Sequence, residues 1–244
     1  MTLTDEYFDQ IAQRLSAARQ TTSEASARAV QAIVEAARND GRVYVFGTGH
    51  SHVMAEEVHY RAGGLAVTVP VLAGPIMVHE GAVAGTVYER TTGIAAPILE
   101  RYGIGSNDVM IVVSNSGINA APVEAARFGK AAGAVVIALT SIAYSTAAAA
   151  AADGRTRIAD IADIVLDNGS PPGDAVLSVP GSELKVAPVS TVIGAVILNA
   201  IFAEVSAALA QDGDAPIYRS ANMPGASEHN ARLVSKYRAR NPHL

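Results

Sequence analysis

The chain has 244 residues, half of them apolar, with 18 basic against 23 acidic side chains for a formal charge of −5, and it contains no cysteine. That length and apolar share suffice for one large core, while the scattered basic residues, only three of them lysine, offer no electrostatic footprint for nucleic acid or an anionic membrane. Disulfides, thiolate catalysis and thiolate-ligated metal are excluded, and the acidic start Met1 to Glu6 lacks the basic and apolar regions of a secretion leader, so a cytoplasmic location is expected.

Residues 5–38 carry Tyr7, Phe8, Ile11, Leu15 and Ala18, then Val30, Ile33, Val34 and Ala37, near helical spacing, which predicts a long amphipathic helix ended by Asn39-Asp40-Gly41. Short apolar runs follow at Val43 to Phe46, Ala66 to Leu72, Val109 to Ser114, Ala134 to Thr140 and Ile164 to Asp167, the pattern of strands buried on both faces. Helical patterns lie between them. This alternation predicts an α/β fold, a three-layer sandwich around a five-stranded parallel sheet, with ligands bound beyond the carboxyl ends of the strands near a topological switch point. Residues 141–153, with six consecutive alanines, read as a helix or connection without function. The longest mostly apolar stretch, Val186 to Ala210, carries Pro188, Ser190, Thr191, Asn199, Glu204 and Ser206, polar groups that suit a helix packed on a sheet better than one in lipid.

Serine recurs where a strand hands over to a helix, in Gly47-Thr48-Gly49-His50-Ser51 and in Ser114-Asn115-Ser116-Gly117-Ile118-Asn119. Free N–H groups and the positive dipole end make a helix N-terminus an anion site, and hydroxyls add neutral donors around a phosphate. Pro188 and Ser190 suit a third helix start, so Ser51, Ser116 and Ser190 or Thr191 can share one phosphate, although a single serine at such a place is as well explained as a cap. A nucleoside triphosphate loop is excluded because no GxxxxGK[ST] occurs, and Gly47-Thr48-Gly49 lacks the third glycine of a dinucleotide fingerprint.

Taken together, the two serine turns and Val186-Ala187-Pro188-Val189-Ser190-Thr191 make the chain resemble the SIS, or sugar isomerase, domain proteins over about residues 40 to 210. The resemblance is strongest to the small single-domain branch related to phosphoheptose isomerases and amino-sugar 6-phosphate etherases. It implies a flavodoxin-like sheet, an N-terminal helical extension over 1–40, a phosphosugar-binding domain over 41–212, and a C-terminal tail and helix over 213–244 that packs on the domain or a neighbouring subunit. It also implies a homodimer or homotetramer and no cofactor. Phosphate and sugar contacts are expected from Thr48, Gly49, His50, Ser51, Ser114, Asn115, Ser116, Asn119, Ser190 and Thr191. Asn119 stands where the family carries a hydroxyl; its amide still donates a hydrogen bond.

The acid–base residues do not carry over directly, because the isomerases place a glutamate ten positions after the first motif's serine and here that position is Arg61. Glu57 lies one helical turn earlier. His79-Glu80 resembles the histidine–glutamate pair that close relatives hold near the ligand, so Glu57, His79 and Glu80, with Glu89 next, are the expected catalytic groups. Each glutamate has an ion-paired structural role as its alternative. His52, Glu56 and His59 share a helix stripe that could be read as a metal site, but no further ligand is in view and no metal is expected. Glu228 and His229 in the tail are candidates for completing a partner subunit's site, or for the first turn of a helix. The expected activity is dehydration of N-acetylglucosamine 6-phosphate by C2 proton abstraction and elimination at C3. Aldose–ketose isomerisation, including that of phosphoheptose, starts with the same proton removal and stays open, as does a phosphosugar sensor without catalysis.

Overall fold

The computed structural model describes residues 2–213 and 215–244. The N-terminal helical region is as long as its periodicity predicts but is divided into α1 (Leu3–Thr21) and α2 (Ser23–Arg38). The break falls at buried Thr22, whose hydroxyl donates back to the Ala18 carbonyl at 2.7 Å, a bond that competes with the helical ladder and bends the chain.

Five strands form the parallel sheet: β1 (Val43–Gly47), β2 (Thr68–Pro70), β3 (Val109–Val113), β4 (Val135–Thr140) and β5 (Ile164–Asp167), in the order β2-β1-β3-β4-β5. The second strand is shorter than its apolar run. Leu65 and Ala66 pair instead with the tail, where Leu65 bridges Ile217 and the Ala66 N–H donates to the Pro216 carbonyl at 2.7 Å. Around the sheet lie α3 (Val53–Glu57), α4 (Val78–Tyr88), α5 (Ala95–Leu99), α6 (Ala120–Ala131), α7 (Ile142–Ala150), α8 (Ser190–Ala210) and α9 (Ala226–Tyr237).

Strand side chains alternate between the two faces, as the two-residue period demands. Val43, Val45, Ile111, Ile137, Leu139 and Leu166 pack with Ile33 of α2, Met54 of α3 and Ile193, Ile197 and Val205 of α8. Tyr44, Phe46, Met110, Val112 and Val136 pack with Leu99 of α5 and Ala121 and Ala125 of α6. Each large side chain so buried contributes about 1.5–3 kcal/mol relative to exposure. The helix α8 has the length and apolarity to cross a membrane, yet its Ile193, Ile197, Ile201 and Val205 stripe is fully committed to the core. The tail joins the same core through Leu233 and Tyr237 of α9.

Sequence periodicity did not reveal the antiparallel hairpin of β6 (Ala175–Ser178) and β7 (Lys185–Pro188), which stands between β5 and α8. Leu177 anchors it in the core, and the Tyr7 hydroxyl of α1 donates to the Pro188 carbonyl at 2.7 Å.

Gly47 closes β1 where the first serine turn folds back over the strand end. A Cβ there would stand 2.3 Å from the Ser51 carbonyl oxygen and 2.9 Å from the His52 nitrogen, both backbone atoms. Gly47→Ala is therefore expected to cost about 1–3 kcal/mol, read as a lower urea midpoint at unchanged slope.

Candidate functional site

In the order β2-β1-β3-β4-β5 the winding direction reverses between β1 and β3, and such a reversal opens a crevice at the strands' carboxyl ends. Gly47 pairs in register with Val113, so the two serine turns leave the sheet side by side. Between them lies a cleft of about 400 Å³ lined by Thr48, Gly49, His50 and Ser51 from the first turn and Ser114, Asn115, Ser116 and Asn119 from the second. Glu89, Arg90, Tyr144, Asp174 and Ser190 complete its polar wall. Thr191 lines a small recess that shares His50, Ser51, Asn115 and Ser190 with the cleft. A larger groove of about 810 Å³ runs between α1, α2 and α8, but its lining is mostly apolar and it lies away from the strand ends.

The second turn is built by hydrogen bonds inside the loop and behind it. Ser114 spends its hydroxyl as acceptor for the Gly117 N–H at 3.2 Å, and Gly117 takes a left-handed φ of 65° with Thr140 and Ser145 too close for a larger residue to settle. Behind it the Asn115 Oδ1 accepts from Asn168 Nδ2 at 3.0 Å and from the Ser170 hydroxyl at 2.7 Å, while its Nδ2 is buried without a partner. Among the described residues the hydroxyls of Ser51, Ser116 and Thr191 have no hydrogen-bond partner, so they remain available as donors at the cleft and its recess.

Glu89, just past the end of α4, is the carboxylate that the fold brings to these turns. Its side chain is 16% exposed, Oε2 accepts from the Thr48 hydroxyl at 2.7 Å, and Oε1 accepts from Asn119 Nδ2 and Arg90 Nη1, both at 2.9 Å. Its own carbonyl accepts from the Ala121 N–H at 2.9 Å, tying the end of α4 to the first turn of α6. Asn119, which departs from the family's hydroxyl, thus orients the acid. With one bond on Oε2, that oxygen keeps a further acceptor position.

The other expected acids stand elsewhere. Glu57 is ion-paired with Arg61 and accepts from Asn199 Nδ2 of α8 at 3.1 Å, outside the cleft. His79 and Glu80, at the start of α4, are 56% and 60% exposed and do not line it. Glu228 is exposed on α9, and His229 donates through Nε2 to the Ile217 carbonyl at 2.7 Å within its own chain. Asp174, Arg90 and Tyr144 line the cleft without having been anticipated. The Pro171-Pro172-Gly173-Asp174 turn was a visible signal for the first, and Tyr144 sits on α7, in the alanine-rich stretch read as functionless.

The stripe of His52, Glu56 and His59 separates. His52 is buried with Nδ1 2.9 Å from Glu56 Oε1, whereas His59 packs beside Tyr60 and His243. Among the described residues no three His, Cys, Asp or Glu side chains are grouped to hold a metal ion. Burial pushes the His52 imidazole below its ordinary value against the opposing pull of Glu56, and burial likewise lowers His59 and His243.

The chain carries the signature of a known family over more than half its length: the model described as SIS domain matches residues 6–141. The chain is a member of the SIS domain family. The match starts within α1, earlier than the motifs indicated, and stops before Ser190. The UPF0309 proteins of Brucella anthropi and Brucella canis are 60% and 58% identical to it over 242 residues, 99% of each chain. Solved structures with the same fold include a phosphoheptose isomerase from Francisella tularensis, at 21% identity and a TM-score of 0.54, covering 84% of this chain and 98% of that one. The sugar isomerase domain of an RpiR transcription factor from Sphaerobacter thermophilus aligns at 19% identity and a TM-score of 0.56 over 97% of this chain and 98% of its own.

The three lowered histidines set a pH dependence. Native imidazoles that protonate less readily than unfolded ones leave the unfolded state with more bound protons, so stability is lost as pH falls from about 6.5 through the depressed native values. The melting temperature is expected to drop between pH 7.5 and 5.5, with a shallower slope in His52→Gln; an equal slope excludes His52 as a contributor.

Proposed function

We propose that this SIS domain chain binds a phosphorylated sugar in the switch-point cleft and acts on it by acid–base chemistry, with an amino-hexose 6-phosphate, most specifically N-acetylglucosamine 6-phosphate, as substrate. The observation that carries this reading is the Glu89 carboxylate, fixed by Thr48, Asn119 and Arg90 beside turns whose Ser51 and Ser116 hydroxyls are free. Ser51, Ser116 and the Ser190-Thr191 start of α8 hold the phosphate. The Glu89 Oε2 removes the C2 proton of the open-chain aldehyde, the C–H electrons become the C2–C3 double bond, and the C3–O bond breaks. The departing hydroxide leaves as water, protonated by a group on the cleft wall, where His50 and Tyr144 have suitable chemistry. No cofactor enters these steps, and the substrate class suits a cytoplasmic enzyme.

Isomerisation uses the same first step and differs in where the proton returns. Both belong to the same base, which moves the role from Glu57 to Glu89. Assembly as a homodimer or homotetramer is supported by α4, where Val83 and Val87 are 84% and 61% exposed and no residue is buried. Light scattering of the purified protein reads the oligomer number directly.

Proton NMR in D₂O tests the reading with separate samples of N-acetylglucosamine 6-phosphate, fructose 6-phosphate and sedoheptulose 7-phosphate: loss of the C2 signal with a new vinylic resonance in the first is elimination, and deuterium exchange with aldose–ketose interconversion in either of the others is isomerisation. Binding without either change identifies a sensor. Glu89→Gln is expected to lower turnover by about 10²–10⁴ with binding retained. Ser116→Ala is expected to weaken binding about tenfold, the loss of one hydrogen bond to a charged group; equal affinity would remove Ser116 from the phosphate site.

A further inference from the structure

The start of α8 is already occupied by an anion of the protein's own. Asp174, in the turn before β6, reaches across to the helix: its Oδ1 accepts from the Ser190 N–H at 2.8 Å and the Val189 N–H at 3.2 Å, and its Oδ2 accepts from the Ser190 hydroxyl at 2.6 Å. These are the donors that a helix N-terminus offers to a phosphate. The residue in the N-cap position, Val189, has no side chain able to cap, so Asp174 does this from another part of the chain. In the same cleft the hydroxyls of Ser51 and Ser116 have no partner among the described residues, and the Asn115 amide nitrogen is buried without one.

The backbone around Asp174 is held under tension. Asp174 has a φ of 69°, and Ala187, on β7 at the other side of the hairpin base, has a φ of 66°; both are left-handed positions without glycine. Strain of this kind persists only where surrounding bonds over-determine it. The three bonds from α8 to the Asp174 carboxylate supply that restraint at one side of the base, and the Tyr7 hydroxyl on Pro188 supplies it at the other.

We propose that Asp174 is an internal anion latch: its carboxylate occupies the α8 position that the ligand's phosphate requires, and ligand entry displaces it together with the base of the β6–β7 hairpin. The inference rests on the phosphosugar reading of the cleft. A carboxylate and a phosphate at one helix start repel, so the ligand must supply the free energy of displacement, and apparent affinity is lowered by the share of molecules in which the latch is closed.

Calorimetric titration of wild type, Asp174→Asn and Asp174→Ser with inorganic phosphate and with N-acetylglucosamine 6-phosphate tests the latch. Removing the charge is expected to tighten both probes at least tenfold and by the same factor, and adding Ser190→Ala to Asp174→Asn is expected to cancel the gain. Hydrogen exchange of ligand-saturated wild type is expected to quicken between Asp174 and Pro188. Unchanged or weaker binding in both Asp174 variants, with wild-type binding still sensitive to Ser116→Ala, overturns the latch and leaves the phosphosugar reading standing. Absence of binding of both probes to wild type and to Asp174→Asn overturns the phosphosugar reading and the latch with it. Melting curves of the two variants identify any that fails to fold, and the other then carries the comparison.

Discussion

The reversal of winding direction between β1 and β3 determines where every polar group of the cleft stands. Parallel strands in register end together, and here Gly47 and Val113 end as neighbours while their connections depart in opposite directions. The chain must turn sharply at both exits, which explains a glycine at Gly47 that a side chain would drive into the Ser51 carbonyl and a left-handed Gly117 hemmed in by Thr140, Ser145 and Ile158. The serines follow from the same geometry, since short hydroxyl side chains satisfy tight turns without filling the crevice. A crevice lined by hydroxyls and amides results from the topology before any particular ligand is considered.

Polar support behind the site is denser than the site itself. Asn115 is gripped by Asn168 and Ser170, Ser141 donates to the Ser170 carbonyl at 2.6 Å, and Asn168 donates its N–H to Thr140 at 2.9 Å. The ends of β4 and β5 thus brace the turn that follows β3. Such networks rigidify when fully satisfied, and the one open position among these residues is the Asn115 amide nitrogen, buried without a partner.

The sheet was readable because strands buried on both faces are continuous apolar runs; Ile164–Asp167 appears with the bounds its run predicts. The serine turns were readable because glycine and serine recur together at two strand exits, where one alone would read equally well as a cap. Glu89 was harder. Nothing local separates it from Glu57 or Glu80, and what places it at the cleft, and so makes it the proposed base, is a pair of contacts reaching 41 residues back to Thr48 and 30 forward to Asn119, which only the folded chain brings together. Glu57, which spacing favoured, pairs with Arg61 one turn later and accepts from Asn199 of α8, outside the cleft. The β6–β7 hairpin escaped because its strands are short, partly polar and interrupted by positive-φ residues, so no two-residue period develops.

One feature of α4 bears on the acid it carries. The helix buries no residue, leaves Val83 and Val87 exposed, and is interrupted at Gly81, where φ is 155° and ψ 93°. Segments with little buried area open by sub-global fluctuations whose free energy lies well below that of the whole domain. In a single subunit the alignment of the candidate base at the end of this helix therefore depends on the three donors on its carboxylate and on the Ala121 amide. Substitutions along Val78–Tyr88 can then misalign the acid in solution while the domain as a whole unfolds at the same temperature as before.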